Sequence, residues 1–534
     1  MRLAVFLAAL AAALGLAVST APAKAPGSLD LVRKGLARAV EAGDLDAAEA
    51  SGYQALAKRA VLELGKLPRG RADTLRGALG DVAGRWGSYT TPIALTLFSM
   101  LEVNMRELAA RRLPASGSDI QGGDGVVYRF VTGHGYAFHP LANFARLNTL
   151  VLGGRDEDAS RLAAALAARG VSYGRGIVWQ YTFPFGRGKP PWISGMAQAV
   201  AAQALARTAD AVQDPILMEA ATGAYSAIPG RLVTAFPPTG PWIKLYSFDP
   251  APVLNAQLQA VLSIGDYARL SGNSGAAGLA AQLRRSAETL LPRFDTGYWS
   301  LYSLRGTESR LDYHDYVITL LKKLAVRTGA SLWRDTADRF ESYETEPPVL
   351  KLPAADAAAV TQPLVIYPDP EDGYLDRVEY SVWLSKRSSV TLHAGGEATT
   401  FSFGHGWSTI AWAPGPRAPG IYRPYLTAVD PAGNGARLVL RQAELRTDSA
   451  PPEIDAAIGG RRTLVWKAVD EGTPYLELTI RLVSGTKRKA LDLGRRELHG
   501  LVTLRLPPGS WQGTLIAENT AGKRASVDLG TLPR

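Results

Sequence analysis

Residues 253–314 contain the pattern that decides the fold, two helical segments followed by a connection rich in polar and aromatic side chains. VLNAQLQAVLSIGDYARLSG (253–272) and AGLAAQLRRSAETLLPRF (277–294) place apolar residues at helical spacing. FDTGYWSLYSLRGTESRLDYH (294–314) follows, and DYVITLLKKLAVRTG (315–329) is helical again. Helical hairpins joined by such connections predict an incomplete α/α toroid, in which the connections at one end of a ring of helices line a central cleft.

The same alternation extends over residues 126–345, which we predict to form the catalytic domain. Earlier helical segments are PLANFARLNTLVLGG, SRLAAALAARG, SGMAQAVAAQALARTADAV and PILMEAATGAYSAI, and the polar, aromatic segments YTFPFGRGKPPW and FPPTGPWIKLYSFDP lie between helices. Residues 28–125 also show mostly helical patterns, with Ser or Asp caps and a Gly-rich end, so we predict a separate N-terminal helical region there.

Beyond the linker YETEPPVLKLPA the pattern changes to short alternating strands separated by Gly, Pro and Asn turns. We predict two β-sandwich domains of immunoglobulin or fibronectin type, at 355–446 and 450–534. LTAVDPAGNGARLVL in the first resembles LIAENTAGKRASVDL in the second, which indicates a turn between the last two strands of each. The predicted fold class is therefore multidomain, α plus all-β. Such appended modules usually bind or position something.

The charge balance and the first residues indicate partner and compartment. The formal net charge of +10 favours nucleic acid, an anionic membrane surface or a polyanionic glycan as partner. We expect no nucleic acid, because no basic block or nucleic-acid motif occurs. A basic start, an apolar run and Ala23-Lys24-Ala25 predict a signal peptide over 1–25, cleaved near Ala25, and hence a secreted or cell-surface protein. An uncleaved membrane anchor is the alternative; no later stretch is long and apolar enough to span a bilayer.

Composition also restricts the chemistry. The chain has no cysteine, which excludes disulfides, thiolate metal sites and a Cys nucleophile. No H-E-x-x-H, G-x-S-x-G or phosphate-binding glycine loop occurs, so we expect no metal. The connections instead carry aromatics: Tyr136, Tyr181, Tyr246, Tyr302, Tyr313, Trp179, Trp192, Trp242 and Trp299. Aromatic platforms beside cations suit sugar rings that bear carboxylates, although any single aromatic can simply fill space at a helix end.

Four segments in order resemble the C-terminal catalytic domain of the D-glucuronyl C5-epimerases. They are GYAFHPLANFARL (135–147), ISGMAQAVAAQALART (193–208, with Ser194, Met196, Ala197 and Gln198 in place), WIKLYSFDPAPVLNA (242–256) and FDTGYWSLYSLRGTESRLDYH (294–314). The last, which matches the family's Y-D-T-G…Y-D-L-R…D-Y-H signature, is the most specific.

The resemblance implies epimerisation at C5 of glucuronate residues in an acidic polysaccharide, such as a heparan-sulfate-like glycosaminoglycan, with no cofactor. Proton transfer is implied for Tyr246 and Tyr313, with Tyr302 in the site, and Arg305 is implied to neutralise the substrate carboxylate. The further positions that we expect to contact substrate are Tyr136, His139, Trp192, Gln198, Asn255 and His314. The sequence leaves open whether the protein forms a homodimer.

This chain also departs from the family pattern. Leu245 stands where the family has a glutamate before the tyrosine that matches Tyr246, so either Asp249 substitutes or Tyr246 acts alone. Ser303 replaces an aspartate, Ala256 replaces a glycine, and helices replace the family's β-rich N-terminal portion. Two alternatives therefore stay open: a polysaccharide lyase-like enzyme that uses β-elimination, and a non-catalytic glycan-binding relative.

Overall fold

The computed structural model describes residues 25–415 and 417–532 and divides into two compact units. The first unit, mainly helical, ends at Tyr343, and the second, mainly β, begins at Glu344. This confirms the α plus all-β part of the predicted fold class. The predicted signal peptide, apart from its last residue, lies outside the described residues.

The described part of the first unit starts with four helices and a small sheet. The helices are α1 (Ala25–Glu41), α2 (Ala47–Leu64), α3 (Arg69–Ala83) and α4 (Thr91–Ala110). An antiparallel sheet follows, formed by β1 (Asp119–Gln121), β2 (Val127–Val131) and β3 (Gly135–Phe138). Strand β1 lies inside the region predicted to be helical, because Ile120 pairs with Tyr128 of the β-branched, aromatic strand β2.

The rest of the unit repeats one order: a β-hairpin, an inner helix and an outer helix. The helices are α5 (Pro140–Leu152), α6 (Asp156–Ala167), α7 (Gly195–Val212), α8 (Pro215–Ser226), α9 (Leu254–Ser271), α10 (Ser274–Leu290), α11 (Leu311–Thr328) and α12 (Ser331–Thr345). The hairpins are formed by β4 (Val171–Tyr173) with β5 (Gly176–Val178), β6 (Val233–Phe236) with β7 (Gly240–Ile243), and β8 (Leu301–Ser303) with β9 (Thr307–Glu308).

Helices α7 and α9 are buried on most of their faces, whereas α6, α8 and α10 are buried on one face. Helices α5, α7, α9 and α11 line one cavity of about 1010 Å³; closure of a toroid stays a prediction.

A polar side chain in the first turn of an inner helix ties the hairpin before that helix to the outer helix after it. The amide nitrogen of Gln198 donates to the carbonyls of Ile177 (2.6 Å) and Ala224 (3.0 Å). The same tie is made by Gln257 to Pro241 and Leu283, and by His314 to Ser300 and Phe340. These buried bonds fix the connections relative to the helix ends, so the connections can hold a site.

Within the described residues, the second unit contains two groups of sheets, with three sheets in the first group and two in the second. The first group contains β10 (Leu350–Lys351), β11 (Leu364–Ile366), β12 (Val378–Leu384), β13 (Ser388–Ala394), β14 (Glu397–Phe403), β15 (Gly406–Trp412), β16 (Gly420–Tyr422), β17 (Tyr425–Val429), β18 (Gly435–Val439) and β19 (Ala443–Leu445), with the short helix α13 (Ala354–Ala358) between β10 and β11. The second contains β20 (Glu453–Gly459), β21 (Thr463–Val469), β22 (Tyr475–Ser484), β23 (Lys487–Glu497), β24 (His499–Thr503), β25 (Trp511–Glu518) and β26 (Arg524–Leu532).

In each group a four-stranded sheet and a three-stranded sheet share one apolar core, and in the first group the sheet β11–β19–β16 contributes to that core as well. The orders β14–β13–β17–β18 and β23–β22–β25–β26 correspond, as do β12–β15 and β21–β24. The two similar sequence segments form the hairpins β17–β18 and β25–β26, which confirms the predicted turn in each segment. In the first group β19 follows β18, so the prediction that these are the last two strands is wrong there. Assignment of either sandwich to the immunoglobulin or fibronectin type stays a prediction.

Candidate active site

Tyr246, Tyr302 and Tyr313 lie together although they come from three different elements. Tyr246 is in the connection after β7, Tyr302 is in β8, and Tyr313 is in the first turn of α11, so this last residue belongs to the helix rather than to the connection before it. A side-chain hydrogen bond joins Tyr246 and Tyr302. The rings of Tyr302 and Tyr313 meet edge to face, with centroids 5.0 Å apart. We call these three residues the tyrosine cluster.

Backbone bonds bring the two connections to each other. Ser303 of β8 forms a β-bridge with Val253, the residue before α9, and the N–H of Leu304 donates to the carbonyl of Pro252 at 3.2 Å. The N–H of Asp249 donates to the carbonyl of Tyr246 at 3.0 Å, which closes a tight turn. The turn and the hairpin therefore lie side by side at the amino-terminal end of α9.

All three phenols are protonated at neutral pH, and burial raises the pKa of each one above its ordinary value of 10. Desolvation raises the pKa of Tyr246 and that of Tyr313 well above 10, and the neighbouring Tyr302 adds to both shifts. Burial also raises the pKa of Tyr302, but only to about 12, since the hydrogen bond with Tyr246 favours its ionised form. Tyr302 is therefore the phenol of this cluster that ionises most readily, and Tyr246 donates to its oxygen once it is ionised.

Arg305 lies beside the cluster in a bidentate ion pair with Asp249. Its Nη1 donates to Oδ2 at 2.9 Å and its Nη2 to Oδ1 at 2.6 Å, while Nη2 of Arg187 approaches Oδ1 to 3.3 Å. Burial alone would raise the pKa of Asp249, but the N–H of Ala251 and the guanidinium of Arg305 outweigh it, and the pKa lies below its ordinary value. Asp249 is therefore an anion and a weak base. Two guanidinium groups against one carboxylate leave the local charge positive.

A continuous series of rings extends the site from Tyr246. Trp192 packs edge to face on Tyr246 (5.6 Å between centroids) and stacks flat on Tyr181 (3.9 Å). Tyr181 contacts His139 edge to face at 5.2 Å. Burial, then the charge of Arg129, hold the pKa of His139 well below 6.5, and its Nδ1 accepts the N–H of Ala142 at the start of α5. His139 is thus a neutral capping residue next to the aromatic series.

The sequence analysis missed Arg129, the buried cation of this region. Its guanidinium binds Asp119 through two bonds of 2.6 and 2.7 Å, and its Nη1 lies 3.5 Å from Nε2 of His139. Its charge also lowers the pKa of Tyr313, although burial outweighs this effect. Arg129 therefore acts electrostatically on the cluster from β2. The feature of the sequence that could have identified it is an arginine inside the apolar run VVYRFV, since a charged residue there is expected to be buried.

The structure does not bring three predicted contact residues to the cluster. Gln198 and His314 are the buried ties described above, and His314 also stacks on Trp299 at 3.9 Å. Tyr136 is buried in β3, where its electrostatic neighbours are Glu107 and Arg111 rather than the cluster tyrosines. The hydrogen bonds of Gln198 and His314 support the connections.

Asn255, by contrast, retains its hydrogen-bonding capacity. It is buried in the first turn of α9, next to the bridge between Val253 and Ser303. Neither its amide nitrogen nor its amide oxygen meets a hydrogen-bond partner within the described residues. A buried amide in that state favours a polar ligand group.

The 1010 Å³ cavity lies further along the same helices. Its lining on α11 begins at Tyr316, one turn beyond Tyr313, and extends to Arg327, so the tyrosine cluster is outside it. Within the described residues no group of three or more His, Asp or Glu side chains could hold a metal ion. No helix in that part of the chain is long and apolar enough to cross a membrane.

Comparison with protein families finds a match over residues 173–342, which include the whole tyrosine cluster. These residues match the family D-glucuronyl C5-epimerase C-terminus. The resemblance predicted from sequence is thereby confirmed over the epimerase-family segment, as we call 173–342. The stretch 135–147, with His139, precedes this segment.

Other known proteins resemble parts of the chain. An uncharacterised protein of Methanocaldococcus jannaschii is 31% identical over 93 residues, 17% of this chain, and the chain covers 30% of its length. An endoglucanase from Komagataeibacter sucrofermentans matches over 36% of this chain and 70% of its own, with 12% identity and a TM-score of 0.28. The fibronectin(III)-like modules of Clostridium thermocellum CbhA match over 34% and 93%, with 10% identity and a TM-score of 0.17.

Proposed function

We propose that the helical unit epimerises glucuronate residues at C5 within an acidic polysaccharide, by removing the C5 proton from one face of the sugar and returning a proton to the other. The observation that carries the proposal is the tyrosine cluster beside Arg305, inside a segment that matches the D-glucuronyl C5-epimerase C-terminus. Tyrosines on either side of a bound sugar can serve as the two proton-transfer groups.

The chemistry sets the role of each group. The C5 hydrogen is a weak acid because the adjacent carboxylate is already negative, so a cation must offset the charge that develops as the C–H bond breaks. Arg305 and Arg187 supply such charge, and Asn255 can bond to a sugar hydroxyl. In our proposal ionised Tyr302 takes the proton of Tyr246 as Tyr246 accepts the C5 proton on one face of the sugar, and Tyr313 gives its own proton to C5 on the other face.

The ion pair between Arg305 and Asp249 affects substrate binding. A substrate carboxylate needs the same guanidinium edge that Asp249 occupies. We propose that the substrate shares or displaces this contact. The side chain of Arg305 is half exposed, so the exchange does not require the core to open.

Deuterated water tests the reaction directly. The protein is incubated with a panel of glucuronate-containing polymers, and the sugars are examined for deuterium at C5 and for chain length. Deuterium at C5 without cleavage supports the epimerase. Ultraviolet-absorbing unsaturated chain ends would indicate the lyase-like reaction instead.

A non-catalytic glycan-binding protein is the second candidate, because one specific observation favours it. Leu245 is 1% exposed and fills the position where the family has a glutamate, so the carboxylate of that position is replaced by a core side chain. Binding of a glucuronate polymer with no deuterium incorporation would establish this candidate and contradict the first.

Cellular location and architecture complete the proposal. We propose export with cleavage near Ala25, an incomplete toroid over 126–345, and fibronectin- or immunoglobulin-type sandwiches at 355–446 and 450–534. The mature amino terminus, sequenced from protein secreted by cells, tests the first point; retention of residues 1–25 on a membrane-bound product would contradict it.

A further inference from the structure

The outer face of the first sandwich carries a row of large side chains that the catalytic proposal does not use. In the sheet β10–β12–β15, Lys351 lies opposite Trp383, and Trp383 lies opposite Trp407. The neighbours of Trp383 on β12, Val382 and Leu384, face the apolar core. Because side chains alternate along a strand, the row faces away from that core.

The indoles in this row are accessible. Trp407 is 60% exposed and Trp383 is half-buried. The Nζ of Lys351 lies 5.0 Å from the centre of the Trp383 ring, and the ring of His405 meets Trp383 edge to face at 5.6 Å. One indole thus carries a cation, and a second, exposed indole lies next to it. Exposed aromatic patches generally mark binding sites, so this surface is a candidate for one.

The next row along the sheet is polar. Ser381 lies opposite Thr409, about 7 Å further along the strands, since each residue advances a strand by roughly 3.4 Å. Beyond it Glu379 is paired with Arg377 at 2.9 Å, so its charge is offset. The face thus combines flat apolar rings, two hydroxyls and an amine without a carboxylate partner among the described residues.

We propose that this tryptophan face (Lys351, Ser381, Trp383, Trp407 and Thr409) binds a strand of carboxylate-bearing polysaccharide. The C–H faces of pyranose rings pack on the indoles, sugar hydroxyls bond to Ser381 and Thr409, and Lys351 attracts a carboxylate. The choice of an acidic glycan rests on the proposed function and on the charge of Lys351. The tyrosine cluster takes no part in this binding.

The second sandwich provides a comparison inside the same chain. In its corresponding sheet Val465 lies opposite Leu501, and these residues are 48% and 71% exposed. An exposed cross-strand pair is therefore present in both sandwiches, but only the pair in the first is aromatic. Cross-strand packing can stabilise a sheet without any role in binding. If that were the only role of both pairs, truncating either pair to Ala would leave polymer binding unchanged.

Binding of the full chain to the panel of glucuronate polymers, with uncharged dextran as control, tests the proposal. We expect Trp407→Ala and Trp383→Ala each to weaken binding about tenfold or more, as loss of an aromatic anchor does. Lys351→Gln should weaken it about threefold, which corresponds to one exposed ion pair with a substrate carboxylate. Leu501→Ala should bind like the parent protein, and thermal unfolding of every variant checks that the fold persists.

Distinct outcomes separate this site from the catalytic one. Tyr313→Phe should bind polymer normally, and Trp407→Ala should keep the parent rate of C5 exchange on a short oligosaccharide. Tryptophan-dependent binding without any C5 exchange supports the tryptophan face and sinks the proposed reaction. Equal binding by the parent and both tryptophan variants overturns the tryptophan face, as does dextran binding as tight as that of the acidic polymers, or no binding of any polymer.

Discussion

Arg305 and Asp249 form a bidentate ion pair at the edge of the tyrosine cluster, with N–O distances of 2.9 and 2.6 Å. The pair places a carboxylate where a substrate carboxylate is expected. It also bears on whether Asp249 can replace the glutamate that the family has at the position of Leu245. Asp249 lies at the edge of the cluster, but its lowered pKa makes it a poor base.

Asp249→Asn should therefore improve binding rather than abolish the reaction. Loss of the anion releases Arg305 for the substrate, while the amide oxygen can still accept the N–H of Ala251. We expect KM for a glucuronate polymer to fall several-fold, on the order of one exposed ion pair, and kcat to change less than about threefold. Deuterium incorporation at C5 across a range of polymer concentrations gives both constants.

The matched control is Arg187→Ala. It removes one cation and the longer contact to the same carboxylate, at 3.3 Å, and leaves the bidentate pair in place, so we expect KM to rise rather than fall. A fall in kcat of about 100-fold or more in Asp249→Asn would instead show that Asp249 transfers the proton.

Tyr313→Phe should remove C5 exchange by about 100-fold or more, because it deletes a proton-transfer group and keeps the ring. Tyr316→Phe is its control on the same helix: Tyr316 is one turn further along and donates to Gln259 at 2.6 Å, away from the cluster. That variant should lose some stability and keep exchange. Normal exchange in Tyr313→Phe would refute the assigned role.

The rate of exchange should rise with pH because the cluster must lose a proton to act as a base. With a pKa of about 12 for Tyr302, the ionised fraction grows tenfold with each pH unit below that value. Exchange measured between pH 7 and pH 9 should therefore increase by roughly two orders of magnitude. Tyr302→Phe should lose this slope, and a flat profile in the parent protein would show that another group abstracts the proton.

The residues that the family resemblance implied from sequence include three that lie close together in the chain, Tyr302, Arg305 and Tyr313. The structure groups Tyr302 and Tyr313 with Tyr246 and places Arg305 beside them, and their roles stay predictions. The pairing of Arg305 with Asp249 was not predictable, because it depends on the bridge between Val253 and Ser303 that joins two distant connections. The position of Arg129 near the cluster was not predictable either, because it depends on the pairing of strand β2.

The motif also could not show which way a side chain points. Asn255 and Gln257 are two residues apart in α9, and on a helix such neighbours lie on nearly opposite sides. Gln257 ties a hairpin to an outer helix, whereas Asn255 keeps an unpaired amide. Gln198 and His314 were predicted to contact substrate from the same kind of match. Gln198 instead binds backbone carbonyls, and His314 binds the hydroxyl of Ser300 and the carbonyl of Phe340.

His139 should make the stability of the helical unit depend on pH in the mildly acidic range. Its pKa is held well below 6.5 in the folded protein, first by burial and then by Arg129, whereas in the unfolded chain it returns to about 6.5. The unfolded state therefore binds the extra proton, so stability is full above about pH 6.5 and declines as pH falls below it, by up to about 1.4 kcal/mol per pH unit.

His139→Asn keeps a side chain that can cap α5 and removes the titration. Urea unfolding followed by helical circular dichroism should show the parent losing stability relative to this variant between pH 7 and pH 5. Parallel curves for the two proteins would mean that His139 is protonated in the folded state.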